Sequence, residues 1–442
     1  MKKKLILFLM IAIFNNHSLR LVTIDNKTNS DMAFSILNQI QQHEKIKILS
    51  IILNDQSFLS KVAKIIQFDL EFADQLEMQI KKSNNFLNKN IETKLCNKGF
   101  SLLLYLSKTN DNIKLTLKDL NSESIIIDKE FIFDQKNKIL SIHKISDELI
   151  KILTGEESVT LSSIAYCKLV SPKQKVICLS DYAGKKEKII IPQKTINVAP
   201  CWHSQAPVLF YSQFTKRNNR LMSINLETKQ NKIICSYDGL NMQPSFSPDG
   251  KKAVLCLSGG KNSELYLYDY NLCKKYNKRV FVPITKNCGN NSSPHLLENG
   301  DIIFCSDYQT GYPQIYYYKK AKKTIKRLTS GHGYCAAPSY CPKTNNIVYT
   351  RIVNGTFQLF TLNLDNFKNI VEKQITFGPG DKHEPSFSPC GNFIAFSYDF
   401  PSKNPYKVAQ IAALNCNSGN IRVLTSNQYH KSYPRWVKNA FY

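Results

Sequence analysis

Three histidines, His332, His383 and His430, stand six, two and four residues ahead of Pro338, Pro385 and Pro434. Imidazoles gathered at one end of a repeat fold are the side chains that could hold a transition ion, with Glu384 the best-placed carboxylate. Their unequal offsets from the following proline do not carry the three rings to one point. Solvated loop histidines, no metal and no cofactor are therefore expected. Thirteen cysteines are present without a Cys-x-x-Cys spacing, so neither a zinc nor a thioredoxin-like site is indicated. Cys178, Cys235, Cys256 and Cys305 fall inside apolar strand patterns, where a thiol acts as a small hydrophobe.

The remaining chemistry lies in the short segments that lead into Pro244, Pro294, Pro338, Pro385 and Pro434. They are Asn241-Met242-Gln243, Asn290-Asn291-Ser292, Tyr334-Cys335, Lys382-His383-Glu384 and Ser432-Tyr433. Amide, hydroxyl and aromatic groups suit recognition of a protein surface rather than bond breaking. Interface energy concentrates in a few positions, so the set is a stronger expectation than any member.

What must position these segments is a repeat. Pro244-Ser245-Phe246-Ser247-Pro248-Asp249-Gly250 returns as Pro385-Ser386-Phe387-Ser388-Pro389-Cys390-Gly391, with looser copies at Pro200, Pro294, Pro338 and Pro434. The successive intervals are 44, 50, 44, 47 and 49 residues. A fixed core with variable spacing is the mark of one supersecondary unit repeated with different loops. Each unit holds the proline strand, an apolar strand, a Tyr-rich strand such as Gln314-Ile315-Tyr316-Tyr317-Tyr318, and an edge strand ending in Leu-Thr or Ile-Thr. Four short strands per unit indicate propeller blades. The first unit begins at Ile164-Ala165-Tyr166 without a proline strand, and the last stops at Pro434-Arg435-Trp436. The fragments complement each other, so the C-terminal strand completes blade one. The expected architecture is an α/β N-terminal domain followed by an all-β six-bladed β-propeller over 160–442.

Ahead of the repeats, Ile46 to Leu53 reads as a buried strand, and 101–106 with 113–120 as a hairpin. Phe58, Val62, Ile65, Ile66 and Leu70 recur at helical spacing, as do Ile139, Ile142, Ile145, Leu149 and Leu153. This assigns an α/β domain to 19–155. At the start, Lys2-Lys3-Lys4 precedes the apolar run Leu5 to Phe14, the pattern of a signal peptide over about 1–18. Export is the expectation, with no membrane span in the mature chain. The 442 residues are 43% hydrophobic and 11% aromatic, which suits a packed protein. The net charge of +25 comes mostly from dispersed lysines, as in Lys319-Lys320-Ala321-Lys322-Lys323 at a hairpin turn. That is a solvated surface rather than a nucleic-acid site.

The chain resembles the TolB family of periplasmic Tol-Pal propeller proteins over nearly its full length. The Pro-Ser-Phe-Ser-Pro-Asp-Gly-Lys repeat at 244–251 is shared with other propellers. More specific are His143-Lys144-Ile145-Ser146-Asp147-Glu148-Leu149, Leu153-Thr154-Gly155-Glu156, Ile164-Ala165-Tyr166 and Asp69-Leu70-Glu71-Phe72. Asp181-Tyr182-Ala183-Gly184 departs by one residue from the family turn, while Trp202-His203-Ser204-Gln205 and Leu296-Leu297-Glu298-Asn299 have lost it. The resemblance implies a non-catalytic periplasmic adaptor that binds the lipoprotein Pal at the channel mouth and inner-membrane components such as TolA. Its implied role is in outer-membrane integrity and cell division. Two rivals are an exported propeller with another ligand and a remnant of a prolyl-oligopeptidase-like hydrolase. Against the latter, no Gly-x-Ser-x-Gly elbow occurs, and 40–155 is too short for a hydrolase domain.

Overall fold

The computed structural model describes residues 45–438, except 84, 260–261, 332 and 400–407, together with the backbone of 12–15 and 18–21. Residues 1–11 and 16–17 of the expected signal segment lie outside the described residues, and Ala12–Asn15 pairs antiparallel with Ser18–Leu21. Among the described residues no helix is long and apolar enough to cross a membrane.

Strand alternation sets the N-terminal packing. The five-stranded sheet runs Leu76–Lys82, Ile46–Ile52, Leu102–Thr109, Asn112–Asp119, Ile125–Ile132. Its first two pairings are parallel and the other two antiparallel. Ile48, Ile52, Leu102, Leu104 and Leu106 face one side, where the Gln56–Phe72 and Lys138–Thr154 helices lay Val62, Ile66, Leu70, Ile145 and Leu149 on them. Leu49, Ile51, Leu103 and Tyr105 face the other side with Leu87 and Leu95. The period of two along a strand thus feeds two cores, one per face. Asp55 caps the first helix by accepting from the Phe58 N–H at 3.4 Å, and Gly155 ends the Lys138–Thr154 helix at φ 71°. The Lys89–Asn97 helix and the Leu76–Lys82 and Ile125–Ile132 strands carry weaker periodic signals and were not expected.

The rest is a β-propeller. Four antiparallel four-stranded sheets begin at Asn241–Phe246, Asn291–Leu296, Cys335–Cys341 and Asp381–Phe387. An eight-stranded sheet holds the remainder and is joined in its middle by one parallel pair, Ile196 with Lys175. One end of that sheet is the C-terminal strand Lys431–Val437, antiparallel to Ser163–Ser171 as the sequence fragments required. The six proline strands neighbour one another in a closed cycle.

Polar residues of the repeat fasten the sheets. Ser245, Ser339 and Ser386, each directly after its proline, accept through Oγ from the N–H of Leu296, Phe387 and Trp436 on the next proline strand, at 2.9, 3.3 and 3.1 Å. The Leu-Thr and Ile-Thr ends lie just past the edge strands. Buried Thr376 and Thr425 donate to Gln358 and Gln410 at 2.9 Å and accept from the N–H of Leu359 and Ile411. All thirteen cysteines are free thiols, and Cys178, Cys235, Cys256 and Cys305 are buried. Burial pushes the Cys178, Cys235 and Cys305 thiols up to about 12, so they remain protonated.

Candidate functional site

Each proline strand is kinked at the same place. Ala199, Gln243, Ser293, Ala337, Glu384 and Tyr433, each directly before its proline, hold φ between 48° and 55°. The ladder register shifts across every one of them. A left-handed non-glycine residue before proline is rare, because proline pushes its predecessor toward extended backbone. The repetition makes it a built bulge, which bends a strand and re-aims its side chains.

The kink sorts the expected site residues into two sets. Three places before proline stand Asn197, Asn241, Asn291, Cys335, Lys382 and Lys431, none more than 1% exposed. Of these, Asn197, Asn241 and Lys382 hold the carbonyls of the preceding loop. Asn241 Nδ2 donates to the carbonyls of Asn219, Tyr237 and Gly239 at 3.1, 2.7 and 3.2 Å. Lys382 Nζ donates to those of Phe377, Gly378 and Pro379 at 3.3, 3.1 and 3.0 Å. Burial holds the Lys382 ammonium below its ordinary value, with Asp381 opposing. Asn291 donates to Glu264 and Thr285 at 3.0 and 3.1 Å. Asn290 donates from its amide to Asp307 at 2.8 Å, and Ser432 is buried. Asn241, Asn291, Cys335, Lys382 and Ser432, expected among the segments that enter the proline strands, lie within those strands with their side chains buried.

The other set faces a cavity of about 330 Å³ between the proline strands. Met242, Gln243, Ser292, Tyr334, His383, Glu384 and Tyr433 line it, joined by Asn291 and by Arg435, which the sequence reading passed over. Arg435 follows the kink and is legible only once the bulge is known. Two of these side chains also link neighbouring strands. Gln243 Oε1 accepts from the Ser293 N–H at 2.7 Å, and Glu384 Oε2 from the Tyr433 N–H at 2.6 Å. Burial, then Glu384, pushes the Tyr433 phenol far up, and burial raises that of Tyr334. Both are neutral hydroxyls. The wall offers amides, hydroxyls, a thioether and aromatic rings, a lining for binding.

The expected histidine group dissolves in part. His332 lies outside the described residues. His430 Nδ1 accepts from the Ala409 N–H at 3.3 Å, and burial lowers its pKa. His383 has carboxylate company, but from Asp381 and Asp399 rather than from Glu384. Glu384 occupies the kink and turns toward the next strand, whereas 381 and 383 share a strand face.

A second polar node joins the two folded parts. Asp69, whose side chain is fully buried, accepts from His143 Nδ1 at 2.7 Å and from the Tyr182 hydroxyl. Phe72 packs on Tyr182 and Phe393 at 4.9 and 5.2 Å. Asp69, His143 and Tyr182 come one each from Asp69–Phe72, the segment from His143, and Asp181–Gly184, so these distant segments meet at one contact.

With this geometry in place, comparison with known proteins is direct. The family model of the TolB beta propeller domain matches residues 150–439. The Tol-Pal system protein TolB of Francisella tularensis strain SCHU S4 is 26% identical over 433 residues, covering 93% of this chain and 95% of that protein. That of Helicobacter pylori strain HPAG1 is 24% identical over 387 residues, covering 85% of this chain and 89% of its own length. The crystal structure of TolB from Acinetobacter baumannii superposes with a TM-score of 0.76 at 21% identity, covering 89% of this chain and 96% of that one.

Proposed function

This chain belongs to the TolB beta propeller family, and from that premise we propose that it is a non-catalytic periplasmic adaptor of the Tol-Pal system. On this reading a Pal-like lipoprotein docks on the mouth of the channel. Inner-membrane Tol components such as TolA engage the N-terminal side, and the assembly supports outer-membrane integrity and cell division. The observation that carries the proposal is the sorting of the pre-proline residues. Buried ones fasten the scaffold, while Met242, Gln243, Tyr334, His383, Tyr433 and Arg435 are left along one cavity. Tyr and Arg in such a recess are the side chains in which binding energy concentrates.

The same proposal reads the ring as six blades. Six kinked proline strands and their closed cycle of neighbours support it, as does the single pair that joins the halves of the eight-stranded sheet. It keeps a signal segment over 1–18, an α/β domain over 19–155 and the propeller over 160–442.

The test is capture of a Pal-like lipoprotein from the same cells by the purified protein. Met242→Asp combined with Tyr334→Ala and Arg435→Ala is expected to weaken capture at least about tenfold, a loss of ~1.4 kcal/mol, with thermal unfolding preserved. Undiminished capture by a folded triple variant would remove the channel mouth as the docking site. Capture of some other exported protein in place of the lipoprotein would move the assignment outside the Tol-Pal system.

A further inference from the structure

The strands Asp381–Phe387 and Phe393–Asp399 are antiparallel, and their register sets Asp381 directly opposite Asp399. Carboxylates in directly opposed cross-strand positions repel and destabilise a sheet unless something neutralises them. His383, two residues along from Asp381, falls on the same face. One donor atom from each of the three lies within 4.8 Å of the others.

The surroundings orient this group, and its basic neighbours Lys382 and His430 both have their charged forms disfavoured by burial. Asp381 Oδ1 accepts from the Phe357 N–H at 3.0 Å, which orients the carboxylate and leaves its second oxygen for another partner. The Phe357 ring packs on the His383 imidazole at 4.4 Å between centroids and restricts its rotation. Asp399 Oδ1 is buried and has no hydrogen-bond partner among the described residues. The ammonium of Lys382 is taken up by three backbone carbonyls. Among the described residues neither carboxylate forms a salt bridge with a lysine or arginine. A buried carboxylate oxygen without a donor is costly, and a cation is the partner that removes both this cost and the cross-strand repulsion.

We propose that Asp381, His383 and Asp399 bind one divalent transition ion of the Zn2+ class. One imidazole nitrogen and two carboxylate oxygens favour such ions over Ca2+ or Mg2+, which prefer all-oxygen sets of higher number. Ligand distances of about 2.0–2.2 Å require donor atoms roughly 3.3–3.6 Å apart in a tetrahedral arrangement. The present spread, within 4.8 Å, would close toward that value on binding. The site stands independently of what docks at the channel, although His383 also borders the cavity.

The experiment is calorimetric titration of ZnCl2 into the EDTA-treated full chain, with Co2+ absorption spectra reporting ligand type. Wild type is expected to take up one tight ion. Asp399→Asn and His383→Gln are each expected to weaken that uptake at least about tenfold. Thermal melts add a sign that a merely structural role would not give. In EDTA the Asp399→Asn protein melts at or above wild type, because a repulsive charge is gone. With Zn2+ the wild-type melt rises and the variant's does not. If Asp399→Asn fails to fold, the His383→Gln titration decides alone. Uptake equal in wild type and in the triple variant Asp381→Asn/His383→Gln/Asp399→Asn would place the ion elsewhere, such as on thiols, and overturn the proposal. Absence of stoichiometric uptake, or tighter binding of Ca2+ than of Zn2+, would overturn it as well.

Discussion

Replacing Trp436 with alanine tests whether one strand holds the ring shut. The indole is 7% exposed, packs against Phe393 with centroids 6.2 Å apart, and donates from Nε1 to Ser162 Oγ at 2.6 Å. Its backbone N–H donates to Ser386 Oγ at 3.1 Å, a bond the substitution keeps. Truncating a buried aromatic to alanine costs about 3–5 kcal/mol through lost burial and the cavity left behind. Leaving Ser162 without its donor adds roughly 1 kcal/mol. A guanidinium m-value of about 6 kcal/mol/M for a domain of this size converts the sum to a midpoint lower by ~0.7–1 M. The assay is equilibrium unfolding by far-ultraviolet circular dichroism, with fluorescence of Trp202, the only other tryptophan of the chain, as a second probe. Trp202 Nε1 donates to the Arg435 carbonyl at 3.1 Å, so its signal reports the closing strand from the neighbouring unit. If the strand is integral to the ring, both probes shift together. A Trp202 transition at low denaturant with the dichroism midpoint unmoved would mean that the C-terminal strand frays locally. The closure reasoning would then be wrong.

Three further outcomes follow from buried polar groups. Asn241→Ala strands the loop carbonyls of Tyr237 and Gly239, so thermal or denaturant unfolding should show a loss of about 2–3 kcal/mol; an unchanged melt would restore Asn241 to the surface. Burial tends to raise the Glu372 carboxyl, but hydrogen bonds from Ser330 and Tyr349 and the Arg351 charge win and hold it below its ordinary 4.5. Its contribution is thus fully present above pH 4.5 and lost as pH falls through the lower folded value; the stability gap between wild type and Glu372→Gln should close over that acid range, and a gap constant with pH would refute the assignment. For His295, burial first and then the Arg435 charge lower the imidazole from 6.5 to about 4. The unfolded chain therefore binds the extra proton between those values, and stability falls as pH drops from 6.5 to 4; His295→Leu should flatten that segment of the melting profile.

Much of the fold was legible because it rests on periodicity. The helices at 56–72 and 138–154, the 102–119 hairpin and the C-terminal partner of Ser163–Ser171 all follow from apolar spacing and the phase of the repeat. What spacing did not show was the direction of the pre-proline side chains. The sequence reading placed Asn241, Lys382 and Ser432 with Met242 and His383, because all are polar or adaptable and lie near one turn. The left-handed residue before each proline separates them, since it shifts the register and turns one set inward. Proline biases its neighbour away from that conformation, so local rules pointed the opposite way. At Gln243 and Glu384 the kinked residue accepts from an N–H of the next proline strand, a contact that local rules do not include.

The same division holds for the two buried clusters. The sequence alone established a repeat, its closure and the family it resembles, because these depend on order and period along the chain. It contained Asp69, His143 and Tyr182, and likewise Asp381, His383 and Asp399, but at separations that carry no signal. Their meeting was decided by the docking of a helix on the propeller and by the register of two strands. Contacts between distant segments depend on how layers of structure face one another, and that is fixed only when the chain packs as a whole.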